Sequence, residues 1–212
     1  MITSASGIKT TQTQFTTQAT SKLSDKANAL LETLKKENDD FDFFVMEEGD
    51  DAKSLLSQGT KEFSVVFSNE ELEKMANDDD YTQQKLQSIR NIVKMSDRIN
   101  EQFGFKRAFG EGPQVGESIN KISVSFDENG QMSIFAELEK LNEKQMEWIN
   151  KMKEEKAEEK EASEKEEAQG SVKRVTVEAS SEKELFDKIQ KIDWEKVAEI
   201  NTGYKPIISK LV

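Results

Sequence analysis

The stretch FSVVFSNEELEKM, residues 63–75, specifies a strand that leads directly into a helix. Large apolar side chains recur at every second position from Phe63 to Phe67, as in a strand with one face on a core. Ser68 and Glu71 have the spacing of a capping box, in which the two side chains bond the first backbone N–H groups of a helix. This junction predicts a fold that combines strands with helices.

Upstream of this junction the sequence predicts a helix, a strand and a shorter helix. Ser24 can cap the first helix, whose apolar side chains recur at helical spacing. Residues 41–46 are aromatic-rich and predict a strand with side chains on both faces, and Asp50–Gln58 predicts a short helix that ends at Gly59. The apolar face of the first helix consists of Leu23, Ala27, Leu30, Leu31 and Leu34.

Downstream, the helix from Ser68 should end near Met75, and a longer one should run from about Tyr81 to Phe103. Residues 104–118 contain four Gly and a Pro and are typical of a loop. A hairpin should follow, because alternating apolar residues flank Asn129-Gly130, a pair typical of a type I′ turn.

From about Ala136 to Gln169 the pattern is helical, and such a helix would be about 50 Å long. Its first half, which contains Trp148, can dock on a core. Residues 153–167 carry twelve charges and no large apolar side chain, so the segment 153–169 is predicted to be a charged helical extension that protrudes from the domain.

A fifth strand is expected at residues 175–177, and Ser181 with Glu184 forms a second capping box before a final helix. The predicted fold class is α+β, with a small, mostly antiparallel sheet of about five short strands, flanking helices and one long charged helix. The domain should span residues 23–200, with residues 201–212 as a tail.

Residues 1–22 contain ten Ser or Thr, three Gln and only two charges, and we expect this leader to be disordered. Unfolded signals for non-classical export share this composition, so the leader is either a solvated tail or an export signal. The longest apolar run, Phe43 to Met46, is far shorter than the roughly 20 residues that span a membrane. A cytoplasmic protein is the default expectation.

The composition disfavours several classes of function. A net charge of −12 repels nucleic-acid phosphates and anionic membrane surfaces. The absence of His and Cys removes the commonest general base, the commonest metal ligand and every thiol nucleophile. We therefore expect no catalytic, cofactor or metal site.

Carboxylates and one basic-aromatic patch are the remaining candidates for a functional role. Seven acidic residues lie between Asp39 and Asp51, where Asp42, Glu47 and Asp50 could serve a hydrolase. An acidic edge that faces solvent or a partner is the simpler interpretation. The patch either packs into the core or contacts a partner protein, and the candidate contact residues are Phe105, Lys106, Arg107 and Phe109, together with Trp148.

The chain contains, in this order, the segments LSDKANALLETLKKENDDFDFFV, SQGTKEFSVVFSNEELEKMANDD, KISVSFDENGQMSIFAELEKLNEKQ and IQKIDWEKV. Together they resemble an uncharacterised family of clostridial-type Gram-positive bacterial proteins, and the resemblance covers roughly residues 22–200. The resemblance implies a bacterial source and a shared fold, and it brings no activity or catalytic residues.

Three hypotheses of function follow from the sequence. The leading one is a non-enzymatic protein that binds another protein of unknown identity, without nucleic acid and without a membrane span. The alternatives are an exported protein or export accessory that uses residues 1–22 as its signal, and a carboxylate-dependent hydrolase.

Overall fold

The computed structural model describes residues 23–47, 49–110, 116–141, 147 and 171–201. Within these ranges, five helices pack against a sheet of seven strands. The helices are α1 (Asp25–Glu37), α2 (Ala52–Ser57), α3 (Asn69–Asn77), α4 (Asp79–Phe103) and α5 (Glu182–Ile189). The strands are β1 (Phe41–Met46), β2 (Phe63–Ser68), β3 (Lys106–Arg107), β4 (Glu117–Phe126), β5 (Met132–Leu141), β6 (Ser171–Ala179) and β7 (Glu199–Asn201).

The strands form one curled, half-barrel sheet in the order β1-β2-β4-β5-β6-β7, with β3 beside β4. The β1/β2, β2/β4 and β3/β4 pairs are parallel, and the other three pairs are antiparallel. The α+β class is confirmed, but the sheet is mixed rather than mostly antiparallel, and it has seven strands where about five were predicted. Helical crossovers between β1 and β2 and between β2 and β4 return the chain to the same end of the sheet, which makes these neighbouring strands parallel. The strands β3 and β7 have two and three residues, too few to show a period in the sequence.

The prediction of a helix from Ala136 is wrong for residues 136–141, which belong to β5. The sequence AELEKL consists of good helix formers, but every second side chain of the strand, at Ala136 and Leu138, is fully buried in the core. Packing between neighbouring strands therefore overrides helix propensity here. The predicted charged extension at 153–169 lies outside the described residues.

The β4–β5 hairpin is confirmed, but its turn is not a two-residue type I′ turn. The N–H of Gly130 donates to the carbonyl of Asp127 at 2.9 Å, and the N–H of Asp127 donates to the carbonyl of Gln131 at 3.1 Å. This pattern closes a three-residue loop in which Gly130, with φ of 73°, occupies the left-handed position. The Asp127 side chain favours this longer loop, because it accepts from the N–H groups of Asn129 and Gln131.

The sheet separates two hydrophobic clusters. The larger one contains the buried faces of α1, α3, α4 and α5, and a row of stacked rings crosses its three parallel strands at Phe43, Phe67 and Phe126. The smaller one lies on the opposite face, where α2 covers Val66 and Phe135. Since both faces of β2 are covered, all six of its residues are buried, and β1 lies beside it at the edge of the sheet.

Candidate functional site

The predicted partner contacts fall into different environments. The ring of Phe105 is 7% exposed and packs edge-on against Phe103, so this side chain belongs to the core. Lys106 is exposed and Phe109 is half-buried. Trp148 lies outside the described residues. The patch therefore keeps its charges at the surface while its first aromatic side chain stabilises the end of α4.

Arg107 is engaged in an ion pair with a neighbouring carboxylate. Its Nε donates to Oε1 of Glu62 at 2.8 Å, and its guanidinium lies 5.8 Å from the ring centre of Phe63. The hydrogen bonds to Glu62 outweigh partial burial and raise the pKa of Arg107 above its usual value. This pair fixes β3 to the segment before β2, and a partner would have to compete with it.

The carboxylates proposed for a hydrolase have separate structural contacts. Oδ2 of Asp42 accepts from the N–H of Lys61 at 2.9 Å and from that of Thr60. Oδ2 of Asp50 accepts from the N–H of Glu47 at 3.0 Å. Glu47 lies five positions after Asp42 along the extended chain, a backbone distance of about 16 Å at 3.3 Å per residue. This is longer than the about 5–9.5 Å between the carboxyl groups of glycosidases.

A buried acid–base cluster, which we call the Glu71 cluster, joins α3, α4 and the hairpin turn. The Glu71 side chain is fully buried and accepts from Tyr81 Oη at 2.8 Å and from Lys85 Nζ at 2.8 Å. Lys85 also donates to the carbonyl of Gly130 at 2.6 Å. Ser68 caps α3 as predicted, but the Glu71 carboxylate turns away from the cap toward this cluster.

The Glu71 cluster has a structural role, because it connects the hairpin turn to α3 and α4. Burial works against the ammonium of Lys85, and its hydrogen bonds to Glu71 and Tyr81 outweigh this effect and raise its pKa above the usual value. The amine is therefore protonated at neutral pH, and its hydrogen bonds to Glu71 and to the Gly130 carbonyl hold the hairpin turn against α3 and α4. Sequence reasoning missed the cluster because its members come from three separate segments, although Tyr81 and Lys85 have the (i, i+4) spacing of helical neighbours.

A groove with a volume of about 420 Å³ lies between α4, the β4–β5 hairpin and the first turn of α5. Ile92, Met95 and Val124 belong to its apolar lining, and Arg98 Nε donates to Glu182 Oε1 at 2.6 Å beside it. Its size falls in the range of small-molecule sites. Among the described residues that line the groove, no buried side-chain polar atom lacks a partner.

The outer edge of β1 is the surface best suited to recognition. Within the described residues, β1 pairs only with β2, so alternate residues point their N–H and C=O groups away from the sheet. Phe44, Val45 and Met46 are half-buried along this edge. Exposed strand edges of this kind are templates for a further strand.

Acidic residues flank β1 at both of its ends. Asp39 and Asp40 are exposed just before the strand, and Asp50 and Asp51 are exposed after it. Glu47, directly after β1, is half-buried, and Glu48 lies outside the described residues. This arrangement corresponds to the acidic edge that the sequence predicts, and its two halves are separated by β1, which pairs on its inner side with β2.

The described part of the chain holds no group of three or more acidic side chains that could bind a metal ion. In the same residues, no helix is both long enough and apolar enough to cross a membrane.

Comparison with known proteins adds a family and no activity. No curated protein matches the chain, and no solved structure matches it. A family model matches residues 21–205, close to the range 22–200 over which four segments resemble an uncharacterised family. The clostridial and bacterial source implied by that resemblance stays a prediction. The chain therefore belongs to the family described as protein of unknown function, DUF6033.

Proposed function

We propose that this protein is a non-enzymatic binding module that takes an extended segment of another protein onto the outer edge of β1. The observation that carries the proposal is the outer edge of β1, a six-residue strand that pairs on one side only within the described residues and whose apolar residues Phe44 to Met46 are half-buried. In such strand addition, main-chain hydrogen bonds supply affinity and alternate side chains supply specificity.

The rest of the site favours binding over catalysis. The carboxylates near β1 contact backbone N–H groups and are not paired across a cleft. The other edge of the sheet is divided between two strands, because β7 has three residues and pairs with only the first three residues of β6. We place this activity in the cytoplasm. The export hypothesis depends on residues 1–22, which lie outside the described residues, and it stays a prediction.

Proline and alanine variants of β1 test the proposal. Successive residues of a strand point their N–H groups to opposite sides, so either Phe44→Pro or Val45→Pro removes an N–H from the outer edge, where proline is tolerated. Phe44→Ala and Val45→Ala remove the side chain and keep the N–H. The measurement is crosslinked affinity purification from native cells with mass spectrometry, after circular dichroism has shown which variants fold.

We expect the folded proline variant to lose partners that the alanine variant at the same position retains. Retention of every partner by that proline variant would contradict the proposal. If neither proline variant folds, hydrogen exchange of the wild-type protein replaces this comparison. Partner binding should then slow exchange at β1 amides, and unchanged exchange there would reject strand addition.

A further inference from the structure

We infer that the segment bound at β1 is basic at both ends and apolar at alternate positions between them. This inference rests on the proposed function and adds the chemistry of the partner. Among the described strands none pairs with the outer edge of β1, and the charges around this edge determine which segments can bind there.

The carboxylates beside β1 lack cationic partners. Asp39, Asp40, Glu47, Asp50 and Asp51 form no ion pair within the described part of the chain. The hydrogen bonds that Asp50 and Asp51 accept come from backbone N–H groups and not from a cation. Lys61, whose amine donates to the carbonyl of Phe41 at 3.0 Å, is a cation at the first end of the strand. The acidic groups outnumber it, so a basic segment gains attraction at both ends.

A second copy of this chain is a poor occupant of the same edge. Antiparallel pairing of two β1 strands would bring Asp39 and Asp40 of one copy close to Glu47 and Asp50 of the other. Like charges that face each other across strands are destabilising. The same charges repel phosphate backbones, so a nucleic acid is disfavoured as well.

The middle of β1 favours apolar side chains in the bound segment. On the face of the smaller cluster, Phe44 and Met46 are half-buried beside Leu55 of α2. On the opposite face, Val45 is half-buried at the border of the main core. Side chains of an added strand would lie beside these residues and cover them, which favours β-branched residues such as Val at these positions. A six-residue strand spans about 20 Å, so a nine-residue segment places its ends beside the carboxylates.

Three synthetic peptides test the inference with the full-length protein. The first is KKVTVTVKK, the second replaces its lysines with glutamates, and the third has proline as its central residue. Amide chemical shifts of isotope-labelled protein locate the binding site, and titrations give the dissociation constant at about 50 mM and 500 mM salt, where the Debye length falls from about 14 Å to about 4 Å.

We expect the lysine peptide to shift β1 amides and to bind at least about tenfold more weakly at the higher salt concentration. The glutamate and proline peptides should bind at least about tenfold more weakly than the lysine peptide. Equal binding of the lysine and glutamate peptides, or shifts that lie away from β1, would overturn the inference.

A double variant isolates the contribution of the acidic residues. The double substitution Asp39→Asn with Asp40→Asn should weaken binding of the lysine peptide at least about threefold, since it removes two exposed charges at one end of the edge. Asp79→Asn with Asp80→Asn changes the net charge equally at the exposed start of α4 and should leave binding unchanged. Equal effects of the two double variants would refute site-specific attraction. If no peptide binds while the β1 proline variant still loses its cellular partner, the inference fails and the proposed function stands.

Discussion

The Glu71 cluster should contribute more to stability than any surface ion pair of this protein, and a double-mutant cycle can measure its contribution. The two charged side chains are 0% exposed at Glu71 and 12% exposed at Lys85, and their charged atoms lie 2.8 Å apart. The substitutions are Glu71→Gln, Lys85→Met and the combination of both. Each single change leaves one charge buried beside α3 without its counter-ion.

The expected magnitude follows from this burial. Removing one partner of a buried pair costs about 3–5 kcal/mol, because the remaining charge is desolvated and unpaired. We expect about 3 kcal/mol for each single variant. The double variant has no unpaired charge, and its glutamine can still accept from Tyr81, so it should cost about 2 kcal/mol rather than the sum. Effects at independent sites depart from additivity by at most about 0.5 kcal/mol, and the coupling energy expected here is several times larger.

Urea unfolding followed by far-UV circular dichroism measures these free energies at neutral pH. Glu32→Gln is the matched control, since Glu32 is 74% exposed in its pair with Lys35 and should contribute less than about 1 kcal/mol. Single variants that each cost less than about 1 kcal/mol would refute the reasoning. Strict additivity in the double variant would also refute it.

The pH dependence of the same cycle has a defined sign. The folded-state pKa of Lys85 is raised above 10.5, so the pair stabilises the protein fully below pH 10.5. This contribution should be lost as the pH rises through the folded-state pKa. The difference in unfolding free energy between wild type and Lys85→Met should therefore be constant near neutral pH and fall in alkaline solution.

Three further predictions concern the turn, a carboxylate and a cap. Gly130→Ala should destabilise the protein by about 3 kcal/mol, because at φ of 73° its added Cβ would overlap Tyr81 Oη and lie 2.9 Å from Lys85 Nζ. Gly104→Ala, at φ of 74° in open space, should cost only about 1 kcal/mol, and equal urea midpoints would reject the steric explanation. Hydrogen bonds from Lys188 and Ser180 lower the pKa of Glu184 to about 2, so its stabilisation is complete above pH 4.5 and lost toward pH 2. Glu184→Gln should therefore differ from wild type in urea midpoint at neutral pH and converge with it in acid. Ser68→Ala, which removes the cap of α3, should cost about 1 kcal/mol of unfolding free energy.

Short-range signals in the sequence predicted most of the helices and strands. Ser24, Ser68 and Ser181 each cap the helix that was expected to follow, with the serine Oγ accepting a backbone N–H. The apolar period places Leu31 and Leu34 of α1 in the core. Caps and periodicity involve residues only a few positions apart, so the sequence alone is sufficient to locate them.

The candidate site was only partly visible in the sequence. The acidic stretch from Asp39 to Asp51 stood out by composition, but its separation into two halves around an unpaired edge depends on the sheet order. Phe105 was a candidate partner contact, and its burial depends on the position of α4 over the sheet. Exposure results from long-range packing, which a single sequence records only weakly.

The sequence by itself determined where the serine-capped helices α1, α3 and α5 begin, where most strands lie and how the charge is distributed. The tertiary structure decided the mixed direction of the strands and the strand conformation of residues 136–141, for which the sequence predicted a helix. It also decided the role of Glu71, which holds the hairpin turn through Lys85. The physical reason is distance along the chain. Caps, turns and periodic faces depend on neighbours within about one helical turn, whereas strand order and buried ion pairs join residues that are far apart in sequence and adjacent only in the folded state.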